Sequence, residues 1–246
     1  MQLETFSRGK SILHALDPRV KLLVYLPFVF LTALTDEIGI AAAMLLTGLL
    51  LAGMGRLYGG KLLERLAVVN VFMALLWLTL PFSVEGETIW RASVLRITRE
   101  GLLLSLLITV KTNAIALFTI SLPGTSTIIA LTHAMLHLGM PEKPVTLFYF
   151  FYRYIGVVNE ESEKMSRMLR ARGFRTQTGI HTIRVSAYFI GMLFIRSYER
   201  SERVYNALVM RGFTGWFPML EHFSLHPRDV AFTALMGVVL ITTLLL

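Results

Sequence analysis

Ile38-Gly39-Ile40-Ala41-Ala42-Ala43-Met44-Leu45-Leu46-Thr47-Gly48-Leu49-Leu50-Leu51-Ala52-Gly53-Met54 holds no charged side chain and lies between Asp36-Glu37 and Arg56. An uncharged apolar run of this length reads as a helix crossing the hydrocarbon of a bilayer. Working outward, comparable runs cover Val20–Thr35, Leu66–Val84, Gly101–Leu122 and Val230–Leu246. The run at Val20 is entered through Leu16-Asp17-Pro18-Arg19, where Asp17 can cap a helix and Pro18 can occupy its first turn. Five spans follow, which put the two termini on opposite faces of the membrane.

Composition agrees with that reading. Apolar residues make up 54% of the chain and the mean hydropathy is +0.62, the profile of a multi-spanning membrane protein rather than a soluble domain. The formal charge is nonetheless +8. In such a chain basic excess marks the cytoplasmic side and contact with anionic lipid rather than nucleic acid. Arg8, Lys10, Arg19 and Lys21 before the first span, with Arg56, Lys61 and Arg65 after the second, set the N-terminus inside. Arg91, Arg96 and Arg99 oppose this, diluted by Glu85, Glu87 and Glu100 in a mixed-charge segment placed outside. Cysteine is absent, which removes disulfides, thiolate metal sites and thiol nucleophiles. No cleavable signal peptide is expected, because no small-residue cleavage site follows the first apolar run.

Between Pro123 and Asp229 the pattern changes. The apolar runs Val145–Tyr152 and Val185–Ile195 are too short to cross about 30 Å of hydrocarbon, and both pass directly into charged sequence. Three helices are predicted, about Thr125–Leu138, Pro144–Arg172 and Ile180–Arg211, as buried or interfacial elements that leave the membrane at a slant. Glu160/Lys164, Glu163/Arg167 and Glu199/Arg203 stand four residues apart in the favourable order. The two longer helices end alike: Leu169-Arg170-Ala171-Arg172-Gly173-Phe174 and Leu208-Val209-Met210-Arg211-Gly212-Phe213 share the pattern L-x-x-R-G-F. Glycine supplies the left-handed residue that stops a helix, and arginine sits at the negative pole of its dipole. A single copy is most simply a self-capping end. Two copies read as two equivalent prongs for a partner with two equivalent sockets.

Leu16-Asp17-Pro18-Arg19-Val20-Lys21-Leu22, Tyr152-Arg153-Tyr154 leading into Glu160-Glu161, Ala171-Arg172-Gly173-Phe174, and Arg196–Tyr205 ending in Arg211-Gly212-Phe213 together resemble the transmembrane T component of energy-coupling factor transporters, nearest the cobalt/nickel CbiQ type. The resemblance implies an all-α integral membrane protein of the bacterial or archaeal plasma membrane. It has about five transmembrane helices and a cytoplasmic or interfacial coupling domain of about three helices. The expected division is 1–122, four spans; 123–229, coupling domain; and 230–246, the last span. The implied role is a non-catalytic scaffold that joins two ABC ATPase subunits to a membrane-embedded, substrate-binding S component, with or without a small accessory membrane subunit. ATP and magnesium would be held by the ATPases, with no cofactor on this chain and cobalt or nickel as the cargo. Carried over by position, Ala171, Arg172 and Gly173 form one ATPase-coupling motif, and Met210, Arg211 and Gly212 the other. Met210 stands where the family more often has alanine. Phe148, Phe151, Phe189, Phe194 and Ile195 are expected to face the S component.

Other residues carry plainer readings. His133 and His137 have a spacing that can place two imidazoles on one metal, but no acid accompanies them, and a structural role is preferred over a metal site. Lys111, mid-span beside Asn113, is read as an inter-helix polar contact rather than part of an ion pathway. Arg153 is placed to snorkel at an interface, and Met165, Met168, Met192 and Met210 suit adaptable packing. The rival functional classes are a secondary transporter, which wants paired broken-helix repeats, and a metal-dependent membrane enzyme, which wants a cluster of acids, bases or ligands.

Overall fold

Asp17 starts the first helix as its sequence predicts. In the computed structural model, which describes residues 6–7, 9, 11–57, 59–92, 95–175, 177–214 and 226–245, the Asp17 Oδ1 accepts the Arg19 amide at 2.8 Å. Pro18 takes the first position of α1 (Pro18–Leu34). α2 (Ile38–Met54) follows and buries Ala41, Met44, Gly48, Leu51 and Ala52, a single stripe at helical spacing. That stripe lies against α4 (Arg99–Ser121). Gly48 permits the approach, since a Cβ there would stand 3.0 Å from the Leu117 Cβ. Lipid is as apolar as leucine, so close van der Waals packing of small residues carries this association.

α3 (Gly60–Ser83) lies along the same helix α4 and is joined to it by hydrogen bonds. Asn70 and Asn113 exchange amide bonds of 2.9 and 3.1 Å. Each also donates to the carbonyl four residues before it, Leu66 or Thr109, at 2.8 Å. The Trp77 indole donates to the Thr109 hydroxyl at 2.9 Å. α3 begins earlier than hydropathy suggested, and Lys61 and Arg65, read as parts of a basic connector, stand in its first turns. Between α3 and α4 the mixed-charge segment forms an antiparallel hairpin that the sequence reading did not assign. β1 (Thr88–Ala92) pairs with β2 (Leu95–Thr98), Thr88 opposite Thr98 and Arg91 opposite Arg96.

α5 (Ile128–His137) packs on α1, and α8 (Pro227–Leu244) on α1 and α2. The hydrophobic core joins α1, α2, α4 and α8, running from Leu16 and Val24 on α1 and its approach through Met44 on α2 to Phe118 on α4 and Phe232 and Met236 on α8. The Phe28 and Phe118 rings meet at 5.2 Å. α3, α4 and α8 are long and apolar enough to cross a membrane. α1 and α2, at 17 residues each, extend roughly 25 Å and fall at the short end of the spanning range. The molecule is therefore an all-α membrane protein, with one small hairpin among the described residues.

Contacts divide the chain into two units, residues 2–138 with 223–246, and residues 139–222. The boundary drawn from hydropathy set α5 with the long charged helices. Its contacts set it with the membrane bundle, because ten residues too short to span still bury Thr132 and Ala134.

Candidate functional site

The second unit is built on α6 (Glu142–Ala171) and α7 (Ile180–Val209), 30 residues each. Both stop in the same way. At the end of α6 the Phe174 amide donates to the Leu169 carbonyl at 3.1 Å and the Gly173 amide to that of Arg170 at 3.0 Å. At the end of α7 the Phe213 amide donates to Leu208 at 3.0 Å and Gly212 to Val209 at 2.9 Å. Gly173 and Gly212 have φ of +82° and +81°. This is the Schellman arrangement, in which the leucine and phenylalanine positions are the ones that meet across the cap. L-x-x-R-G-F is thus largely a helix-stop signal, and the arginine is the part of it that the stop does not explain.

Ala171, Arg172, Gly173, Met210, Arg211 and Gly212 are all exposed, Met210 at 89%. Each arginine sits where carbonyls at the helix end leave negative dipole density and where its planar fork faces outward. The two ends are not side by side. The Phe174 ring stands 6.3 Å from the His181 ring in the first turn of α7, so Arg172 lies near the start of α7 and Arg211 at its finish, about 45 Å away at 1.5 Å per residue.

The five apolar residues singled out with them divide by face. Phe148 and Phe151, one turn apart on α6, have rings 6.5 Å apart and are 41% and 62% exposed. On α7, Phe194 continues an exposed stripe with Ile183 and Ile190, while Phe189 and Ile195 project roughly 120° to either side of it at 100° per residue. From Ala187 to Ile195 α7 holds no charged side chain, whereas His181 and Arg184 make its first turns mixed, so the middle of the helix is the part that suits an apolar surrounding.

Across the charged half, Arg196 of α7 bonds Glu161 of α6, the two side chains 39% and 17% exposed. That hydrogen bond, aided by the Arg196 charge, holds the Glu161 carboxyl below its ordinary value. Glu163–Arg167 and Glu199–Arg203 close at 3.6 and 3.9 Å on the exposed faces of their own helices, where such pairs add a few tenths of a kcal/mol. Glu160 and Lys164 form no such pair among the described contacts. Arg153 reaches the Tyr149 hydroxyl at 3.3 Å and lies over the Tyr154 ring.

Within the bundle the structure gathers residues that sequence reading left separate. Asp229, in the first turn of α8, accepts the Asp17 amide and the His226 amide, each at 2.9 Å. Lys21, one turn into α1, donates to Thr125 at 3.1 Å and Ser126 at 2.7 Å, just before α5. The one available signal was an aspartate and a lysine each set at the edge of an apolar run. Lys111 bonds the Ala33 carbonyl at 3.3 Å and Asp36 at 3.5 Å, the inter-helix contact expected of it. The His133 and His137 rings meet edge to face at 5.2 Å, and among the described residues no group of three metal-ligating side chains forms.

A family model described as CbiQ, cobalt transport protein, matches residues 9–222. An uncharacterised protein of Methanocaldococcus jannaschii is 24% identical over 98% of this chain and 84% of its own length. Two proteins named energy-coupling factor transporter transmembrane protein EcfT are also similar. That of Bacillus selenitireducens is 28% identical over 89% of this chain and 85% of its own, and that of Thermosediminibacter oceani 26% identical over 84% and 82%.

Proposed function

The chain belongs to the CbiQ family of cobalt transport proteins, and from that premise we propose that it is the transmembrane T subunit of an energy-coupling factor importer. In this role it is a transport component and not an enzyme. It links two ABC ATPase subunits, which hold ATP and magnesium, to a membrane-embedded S component that binds the solute. The observation that carries the proposal is the pair of matching, exposed Arg-Gly helix ends at Arg172 and Arg211, on helices long enough to act as levers. Two equal ends standing apart suit two equal ATPases. A guanidinium there offers a planar fork to a carboxylate or carbonyl groove.

Closure of the ATPases on ATP would draw the two ends together. Because α6 and α7 are continuous helices, the displacement would reach Phe148, Phe151, Phe189, Phe194 and Ile195, the proposed face toward the S component. The solute need not touch this chain. Cobalt is proposed as cargo from the family description, with nickel as the alternative. The N-terminus is placed in the cytoplasm of a bacterial or archaeal cell. In support, the start of α1 with Arg19 and Lys21, the end of α4 and the start of α8 with Arg228 gather at one end of the bundle.

Co-purification of the chain with candidate ATPase and S subunits tests the reading. The Arg172→Ala/Arg211→Ala double variant is expected to fold as the parent, because neither guanidinium takes part in the bonds of its cap, yet to lose ATPase binding or uptake. Full assembly and full transport in that variant would remove the proposal.

A further inference from the structure

Residues 139–222 join the bundle through two connections, out through α5 and back into α8. Both are gripped at the first turn of α1. Asp229 Oδ1 accepts the Asp17 amide while Oδ2 closes the α8 cap on His226. The Lys21 ammonium holds the hydroxyls of Thr125 and Ser126, in the turn that leads into α5. Lys21 is 1% exposed, Asp229 2% and Asp17 7%, and the second oxygen of Asp17 is buried without a hydrogen-bond partner among the described residues. Burying two carboxylates and an ammonium is costly, and apolar residues of equal volume would hold the same helices at least as firmly. What a hydrogen-bonded node adds is direction. It fixes helix ends in one register, where apolar packing lets them slide.

We propose that Asp17, Lys21 and Asp229 are positioning residues for coupling: they form the anchor at which displacement of residues 139–222 is passed to the membrane helices. This rests on the T-subunit reading above. Motion entering through α5 pulls on Thr125 and Ser126, motion entering at the start of α8 pulls on Asp229, and both act on α1, which Asp17 caps and Lys21 belongs to. The clamp makes α1, α5 and α8 move as one body.

The test uses the whole complex with its ATPase and S subunits, labelled for distance measurement at Ile183 on α7 and Val238 on α8, with ATP as the probe. Asp229→Asn leaves an N–H facing one of the two amides, and Lys21→Met/Asp229→Leu replaces the charged groups with apolar volume so that packing is kept. Both variants are expected to assemble and to hydrolyse ATP, while the fraction of complexes whose label distance shifts on ATP falls about fivefold. An undiminished shift in either assembled variant overturns the proposal. So does failure of both to assemble, which would make the node a fold element only. A parent chain that recovers no ATPase at all fails the T-subunit reading instead, a distinct result.

Discussion

α4 and α7 are both long helices, yet α4 buries eight of its residues and α7 buries none. α4 is the central post of the bundle: α2 docks on it through Gly48, α3 through an amide pair, and Lys111 ties it to the end of α1. α7 is held to α6 by the Glu161–Arg196 bond and a ring contact near the connecting loop. The first helix is a fixed part, its Asn113 amide paired across the bundle and the hydroxyls of Ser105, Thr109, Thr112 and Thr119 returned to its own backbone, as hydrocarbon favours. The second presents apolar surface along its middle and charge along its second half, with little of its own to hold it still. A segment of low internal contact is where movement is cheapest.

The largest effect that separates the two regions is a truncation in each. Phe118→Ala removes a ring that is 0% exposed. Lipid matches the core in polarity, so the loss is mainly that of cavity and dispersion contacts, about 2–3 kcal/mol, read by equilibrium unfolding in mixed micelles. Phe194→Ala, at 73% exposure, is expected to change stability by less than about 0.5 kcal/mol. Equal costs would erase the contrast.

Helix ends give the next effect. Gly173→Ala meets nothing within 4 Å, so its cost is backbone strain at φ +82° alone, about 1 kcal/mol, seen as faster amide exchange at Phe174. The end of α2 carries the mirror case. Arg56 holds φ +50° in the same pattern, with the Leu57 amide on Ala52 and the Arg56 amide on Gly53, so Arg56→Gly should stabilise by up to about 1 kcal/mol.

The smallest effect concerns pH. Arg196 lowers the Glu161 pKa, so the stabilisation is present above the ordinary carboxylate value and is lost as pH falls through the lowered one. The distance between labels on the charged halves of α6 and α7 should therefore hold from neutral to mildly acidic solution and spread only below the usual carboxylate range. In Arg196→Leu it should already be spread at neutral pH. A distance that stays fixed through both changes would assign the crossing to other contacts.

Much of this was legible in the residues. Uncharged runs reveal membrane helices because hydrocarbon tolerates no unpaired charge, and α2 begins and ends where its run does. Gly173 and Gly212 announce helix ends because only glycine takes that backbone without strain, and Asp17-Pro18 announces a beginning. These are local rules, decided within one or two turns, so a linear reading suffices. The hairpin at 88–98 was hidden because two short strands of mixed charge carry no long period.

Only the tertiary structure decided who meets whom. Asp229 lies 212 positions from Asp17 and Lys21 about half that distance from Thr125, and no spacing rule joins residues so remote. Whether α5 belongs with the bundle, which amide answers Asn113, and that the two arginine ends stand a helix length apart depend on how folded helices pack. Packing is fixed by the shapes of many side chains at once, and hydropathy along the chain does not contain it.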